Sequence, residues 1–303
     1  MREMTDFQKK LTELLPELQL RLDEPMAEHT SLRIGGGAEV MAFPRSGEEV
    51  SKLLKVSALL DCKPAILGAG TNVLAPDQGL AGLVICLRDC LDGMEKRGET
   101  TIRCAAGVTM SRAAVFAAGL GLSGLEFAHG IPGTVGGGVY MNAGAYGGEM
   151  GMVCTGVLAM DYSGKERYLT AKELDFSYRH SALQRGNWIV LAADFVLEPG
   201  EETAIRGKMK ELMSRRSAAQ PLNLPSAGSA FKRPQGGYAA ALIDEAGMRG
   251  FQVGQAAISQ KHTGFAVNLG GATAEDMKSL LRQVSDKVYG RSGIRLVPVV
   301  QIW

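Results

Sequence analysis

At 303 residues, with 46% hydrophobic composition, the chain is long enough for two or three packed units, because one core rarely grows past about 250 to 300 residues. Its 33 Lys and Arg stand against 32 Asp and Glu, a formal charge of +1. That balance excludes a field strong enough to recruit nucleic acid or an anionic membrane surface, so an anionic ligand must be held by a local site. The cysteines, Cys62, Cys86, Cys90, Cys104 and Cys154, are odd in number and scattered without C-x-x-C spacing, which predicts reduced, mostly packed thiols and no metal centre. The opening "MREMTDFQKKLTELL" lacks the apolar run of a secretory signal. No stretch approaches the roughly 20 apolar residues that span a bilayer. A soluble, cytoplasmic protein is expected, and a monomer.

In chain order, the first clear helix is "SGEEVSKLLKVSALL", where Ser46 and Glu49 have capping-box spacing ahead of a stripe of Val50, Leu53, Leu54 and Leu60 that Ser57 interrupts. "AILGAGTNVL" follows. Ala65 to Leu67 can form a short buried strand that leads into Gly68, Gly70, Thr71 and Asn72. Successive N–H groups and a threonine hydroxyl there can hold a pyrophosphate without a lysine, although an ordinary strand-to-turn connection explains the same letters. "LAGLVICL" and "TIRCAAG" read as strands and "SRAAVFAA" as a helix. The next letters, "GLGLSG", fit the dinucleotide pattern G-x-G-x-x-G, but they follow a helix where that motif needs a strand. Gly119 and Gly121 are therefore taken as a helix stop.

"HGIPGTVGGGVYMNAGAYGG", residues 129 to 148, carries Gly130, Gly133, Gly136, Gly137 and Gly138 close together. That is more than turns require. It points to a flat or phosphorylated ligand against bare backbone, with a tight crossing of two backbones as the other explanation. "VLAMDYSGKERYL", folded at Ser163-Gly164, and "NWIVLAADFVLE" read as paired strands. A polar, basic helix followed by "SAAQPLNLPSAGS" marks a joint near residues 203 to 222. "TAEDMKSLLRQVSDKVYG" places Met277, Leu280, Leu281, Val284 and Val288 on one stripe and is predicted to stop at Gly290. In "GIRLVPVVQIW", alternation puts Ile294, Leu296, Val300 and Ile302 on one face and Arg295, Val297, Val299 and Gln301 on the other. The irregular order of strands and helices predicts an α+β protein.

The motifs "TSLRIGGGAEV", "GAGTNVL", "GLEFAHGIPGTVGGGVYMNAGAYGGE", "FSYRHS", "PSAGSAFKRP" and "LIDEAGMRGFQVGQAAISQKHTGFAVN" occur in the order found in one family. Over nearly its whole length the chain resembles the FAD-dependent UDP-N-acetylenolpyruvoylglucosamine reductases of peptidoglycan synthesis, in the shorter type that lacks an extra tyrosine loop. The resemblance implies a two-subdomain FAD-binding fold of the vanillyl-alcohol-oxidase type, expected over 1–90 and 91–202, and a C-terminal α+β substrate domain over 203–303. It implies FAD and NADPH as cofactors and a UDP-sugar as substrate. Arg33, Gly68, Gly70, Thr71, Asn72, Gly130, Ile131, Gly133 and Gly136 are thereby expected to meet FAD.

The implied reaction passes electrons from NADPH through the flavin to the enolpyruvyl double bond of the UDP-sugar, after which a proton must follow. Such a site needs a cation for the neighbouring carboxylate and an acid for the carbanion-like carbon. The resemblance assigns these to Arg179, helped by Tyr178, and to Ser229. Lys232 and Arg233 are expected on the substrate, Arg233 standing where the family usually has Asn. Val299 stands where the family uses a catalytic Glu, so a weakened enzyme, or a non-catalytic protein that binds flavin and UDP-sugar, is the alternative. A flavin oxidase is a more distant one. His262 is taken as a hydrogen-bonded loop residue.

Overall fold

The computed structural model describes residues 3–303. The chain divides into two compact units, each assembled from separated stretches. One comprises Met1–Leu22, Glu39–Ala69 and Gly82–Arg215, the other Asp23–Ala38, Gly70–Ala81 and Arg216–Trp303.

In the first unit, a sheet runs in the order Glu166–Thr170, Cys154–Asp161, Trp188–Val196, Thr101–Ala105, Met94–Lys96, antiparallel throughout. The hairpin between its first two strands turns at Ser163-Gly164, as the sequence suggests, and Gly164 has φ +84°. A second sheet includes Ala65–Leu67, parallel to Leu80–Cys86. Helix Gly47–Leu59 buries Val50, Leu53 and Leu54 in this unit's core, beside Ile85, Val157 and Phe195. Ser46 caps it by accepting from the Glu49 N–H, but the Glu49 carboxylate turns to the Arg45 N–H, so only half of the box forms. Ser57 is no gap in the stripe, because it is buried with its hydroxyl donating 2.6 Å to the Leu53 carbonyl. Helix Met110–Gly119 ends where expected, with Gly121 left-handed at φ +66°.

In the second unit, strands run in the order Ser226–Ser229, Phe265–Asn268, Ala256–Ile258, Gln252–Val253. Helix Ala274–Ser292 lays Met277, Leu280, Leu281, Val284 and Val288 into the core with Ile243, Ile258, Leu32, Ile34 and Leu74. Asp77, from the 70–81 stretch, accepts from the Ala274 and Glu275 N–H groups and so braces that helix's first turn. The helix does not stop at Gly290. It runs to Ser292 and is capped by Gly293 at φ +72°, because Gly290 faces open space and nothing forces the chain out of the helix there. Gln301–Ile302 pairs in parallel with Val73–Leu74, directly after the Gly70–Asn72 loop. Leu296 and Val300 are buried as alternation requires, whereas Ile302 is half exposed, since this short pair lies at an edge. Among the described residues, no helix is long and apolar enough to cross a membrane, and no cluster of His, Cys, Asp and Glu could hold a metal ion.

Candidate active site

The first unit brings two glycine-bearing stretches side by side. Gly68 follows the strand Ala65–Leu67, and a Cβ there would lie 2.6 Å from Thr134 Oγ1. Thr134 caps the short helix Val135–Tyr140 by accepting from the Gly137 N–H at 3.3 Å. The N–H groups of Val135 and Gly136 donate to the carbonyls of Val108 and Ala106, and Gly133 O accepts from the Met110 N–H.

Close packing of the chain on itself, one of the two explanations that the sequence left open, accounts for part of the glycine run. A Cβ on Gly136 would lie 2.9 Å from the Ala106 Cβ, and one on Gly138 2.6 Å from Met110 Sδ. Gly144 and Gly148 are likewise closed in by Glu149 and Phe127. Those four serve the chain's own packing. Gly137, by contrast, is exposed, with only Thr134 Oγ1 at 3.5 Å. Ile131 is partly buried against the core, and His129, next to Gly130, holds Ser111 through Nδ1 at 3.2 Å.

Tyr178 and Arg179 form the two central residues of a tight turn, closed by hydrogen bonds in both directions between Ser177 and His180. Arg179 is left-handed at φ +56°, a conformation that favours glycine or asparagine. Its guanidinium donates to Gly144 O at 2.7 Å and lies 5.1 Å from the centroid of the Tyr178 ring, which is half exposed. Sequence reasoning missed what holds this turn. Asn142, fully buried and itself at φ +43°, donates to Ser177 O at 2.9 Å and accepts from the Gly151 N–H at 2.8 Å. Ser181 and Gln184 both donate to Tyr140 O, pinning the turn to the end of helix Val135–Tyr140. The available signal was Asn142 itself, an amide beside alanine and glycine, since asparagine tolerates the left-handed region and pairs with nearby backbone.

The second unit collects the remaining expected residues. Arg33 is exposed and left-handed at φ +54°, flanked by buried Leu32 and Ile34. Gly70 has φ +61°, and a Cβ there would fall on the His29 carbonyl oxygen and 2.9 Å from the Thr30 Cα. Ser31 links the Gly70 loop to the Ser226–Ser229 strand, because its N–H donates to Gly70 O at 3.1 Å and its hydroxyl to Ser226 O at 2.7 Å. Ser229 ends the strand Ser226–Ser229, exposed, after a bulge that contains Gly228 at φ +76°. The adjacent Ala230 O accepts from the Val299 N–H at 3.0 Å, and the Lys232 N–H donates to Val297 O at 2.8 Å. Val299 O in turn accepts from Asn72 Nδ2 at 3.2 Å. Lys232 and Arg233 are exposed, the Arg233 guanidinium lying 4.0 Å from the centroid of the Tyr238 ring. Thr71 adjoins this network between Gly70 and Asn72. His262 is a loop residue, with Nδ1 accepting from the Gly264 N–H and burial holding its pKa below the usual histidine range.

Four titratable groups away from these residues are structural. Burial pushes the Cys86 thiol up to about 11 and those of Cys104 and Cys154 up to about 12, so these are inert packing groups. Burial would also raise the Asp194 carboxyl, but Arg103 donates to both of its oxygens at 2.6 Å and Tyr168 donates at 2.9 Å. Together they hold it below the usual carboxylate range.

Comparison with known proteins gives this arrangement a context. Residues 38–169 match the family described as FAD binding domain, and residues 220–303 match that described as UDP-N-acetylenolpyruvoylglucosamine reductase, C-terminal domain. The UDP-N-acetylenolpyruvoylglucosamine reductase of Agathobacter rectalis is 43% identical, over 98% of each chain. That of Caldanaerobacter subterraneus subsp. tengcongensis is 44% identical, over 97% of this chain and 96% of its own. The crystal structure of the Thermus caldophilus enzyme superposes with a TM-score of 0.80 at 33% identity, over 95% of this chain and 99% of that one. The fold is α+β, an FAD-binding domain of the vanillyl-alcohol-oxidase type carrying a C-terminal α+β domain.

Proposed function

Because the chain belongs to the UDP-N-acetylenolpyruvoylglucosamine reductase family, we propose that it reduces UDP-N-acetylglucosamine enolpyruvate to UDP-N-acetylmuramate with FAD and NADPH, a step of peptidoglycan synthesis. The observation that carries this reading is the likeness over nearly the full length, which takes in the cofactor and the substrate portions alike. We assign FAD to 1–90 and 91–202 and the UDP-sugar to 203–303. The reading includes a monomer acting in the cytoplasm.

The residues present fit FAD. Neither Gly68–Asn72 nor 129–138 contains a carboxylate, and exposed Gly137 leaves main chain uncovered by side chains, whereas buried Gly70 shapes its loop against the His29–Thr30 backbone. A dianionic pyrophosphate requires such surroundings, in which backbone N–H groups and a hydroxyl such as that of Thr71 serve as donors. Gly130, Ile131 and Gly133 belong to the adjoining turn, Gly136 seats the first turn of the following helix on Ala106, and Arg33 adds a cation. When bound, FAD takes electrons from NADPH and passes them to the substrate double bond.

The protein's own groups do the rest. Arg179 presents a planar fork to the substrate carboxylate, which gains charge as the double bond is reduced, and a fixed cation there lowers the barrier. Its left-handed backbone supports this role. A glycine would be easier to accommodate, so the side chain has a use that outweighs about 1 kcal/mol of strain. Tyr178, stacked on Arg179, holds the fork in place. Ser229 delivers the proton to the carbon left electron-rich, and Lys232 and Arg233 hold the diphosphate.

The test is stopped-flow kinetics on the FAD-loaded protein, in two halves. NADPH should bleach the flavin, and the enolpyruvyl sugar should restore its colour. Bleaching that the sugar does not reverse would favour a flavin and UDP-sugar binding protein. A folded protein that takes up no FAD would overturn the reading altogether.

A further inference from the structure

The segment around Ser229 is tied to the Gly70–Asn72 loop at two places. At one end, Ser31 donates its N–H to Gly70 O and its hydroxyl to Ser226 O. At the other, Asn72 Nδ2 donates to Val299 O, and the Val299 N–H donates to Ala230 O, next to Ser229. The amide of Gln301 also reaches Val299 O, at 3.4 Å, while its own N–H donates to Asn72 O at 2.9 Å. Two side-chain amides therefore converge on one main-chain carbonyl. Val299 offers no polar side chain, so its peptide group alone transmits position from the loop to the strand. Ser229 pairs with Phe265, but a bulge and a left-handed glycine separate that pair from the preceding Ser226–Val267 pair, so the ladder holds it from one side only.

We propose that Asn72 and Ser31 are positioning residues for Ser229, clamping its strand to the loop from both sides. The Asn72 side chain is directed to Val299 O. This assignment rests on the proposed reaction and on Ser229 as its acid. Proton delivery depends steeply on the placement of the acid, and a displacement of about 1 Å costs on the order of 10² in rate. One lost positioning hydrogen bond, at a typical net strength, slows the proton step about 3- to 10-fold.

The experiment compares Asn72→Ala, Ser31→Ala, Gln301→Ala and Ser229→Ala with the parent, each loaded with FAD. For Ser31→Ala, flavin reduction by NADPH should keep the parent rate, and in Asn72→Ala, whose residue also belongs to the loop assigned to FAD, it should fall less than reoxidation does. Reoxidation by saturating enolpyruvyl sugar should fall about 3- to 10-fold, with a larger solvent deuterium isotope effect on that half. In the cofactor-free protein, hydrogen exchange at Val299 and Lys232 should speed up in Asn72→Ala. Gln301→Ala alters an exposed side chain and should show the same pattern about 2-fold, which covers the case in which Asn72→Ala does not fold. Equal slowing of both halves, or parent reoxidation rates and isotope effects in all three variants while Ser229→Ala is slow, would overturn the clamp alone. Parent reoxidation in Ser229→Ala would overturn the assignment of the acid, and the clamp with it.

Discussion

Gly70→Ala tests most directly whether the loop before Asn72 is shaped by backbone crowding. Gly70 sits at φ +61°, where a Cβ costs about 1–2 kcal/mol. That Cβ would also overlap the His29 carbonyl oxygen and approach the Thr30 Cα to 2.9 Å and the His29 carbonyl carbon to 3.0 Å. These are main-chain atoms, so no rotamer change relieves the overlap. The His29–Thr30 segment must withdraw, and the Ser31 N–H to Gly70 O bond of 3.1 Å is strained or lost, worth about 1 kcal/mol. The sum is about 2–4 kcal/mol, which lowers Tm by roughly 3–6 °C for a chain of 303 residues. The control is Gly236→Ala in the same unit, at φ +82° with nothing within 4 Å, which isolates the dihedral cost alone. Thermal unfolding by circular dichroism, with FAD affinity by fluorescence titration, gives the comparison. If Gly70→Ala is no more destabilising than Gly236→Ala and binds FAD as the parent does, the crowding argument is wrong.

The remaining predictions concern chemistry and charge. Arg179→Gly should change Tm little, because relief of the strain at φ +56° offsets the lost hydrogen bond to Gly144 O, while sugar-dependent flavin reoxidation falls at least 10²-fold. A loss of both stability and activity would contradict the view that the backbone there tolerates arginine only for its side chain. Val299→Glu should raise the reoxidation rate about 10-fold or more by placing an acid at the position to which the sequence resemblance assigns one, and an unchanged rate would refute that reading of Val299. Asp194 has a folded pKa held below its unfolded value. Its contribution is therefore present above about pH 4, the ordinary carboxylate value, and is lost as pH falls through the folded value. Acid titration of Asp194→Asn followed by circular dichroism should show a flatter loss of stability below about pH 4 than the parent. A parallel curve would mean that Arg103 does not stabilise this carboxylate.

Local chemistry made much of the fold legible. The Ser46 cap, the stripe Met277 to Val288 and the Ser163-Gly164 hairpin are each written within a few residues, and all three form. Gly290 misled because a glycine signals a helix end only when geometry demands a left-handed residue. Here Gly293, three positions on, met that demand. Ser57 misled because a serine bonded to the preceding turn is compatible with burial. The glycine run was half legible, for sequence shows where side chains are missing but not whether a ligand or the chain's own Ala106 and Met110 occupy the space. The link between Asn72 and Val299 left no local trace, since the partners stand 227 positions apart and each looks like an ordinary loop or strand residue.

That separation also bears on how the molecule is made. Residues 23–38 and 70–81 emerge early from the ribosome, yet the strand and helix that complete their unit lie beyond residue 216. Until then Val73–Leu74 has no parallel neighbour, Asp77 has no helix to cap, and Leu32, Ile34 and Leu74 have no apolar cover. Distant pairings of this kind form slowly, because a long loop must close before any contact rewards it. The growing polypeptide thus carries two sticky, half-made segments for most of its synthesis, which makes it a natural client for chaperones and a poor candidate for expression in fragments.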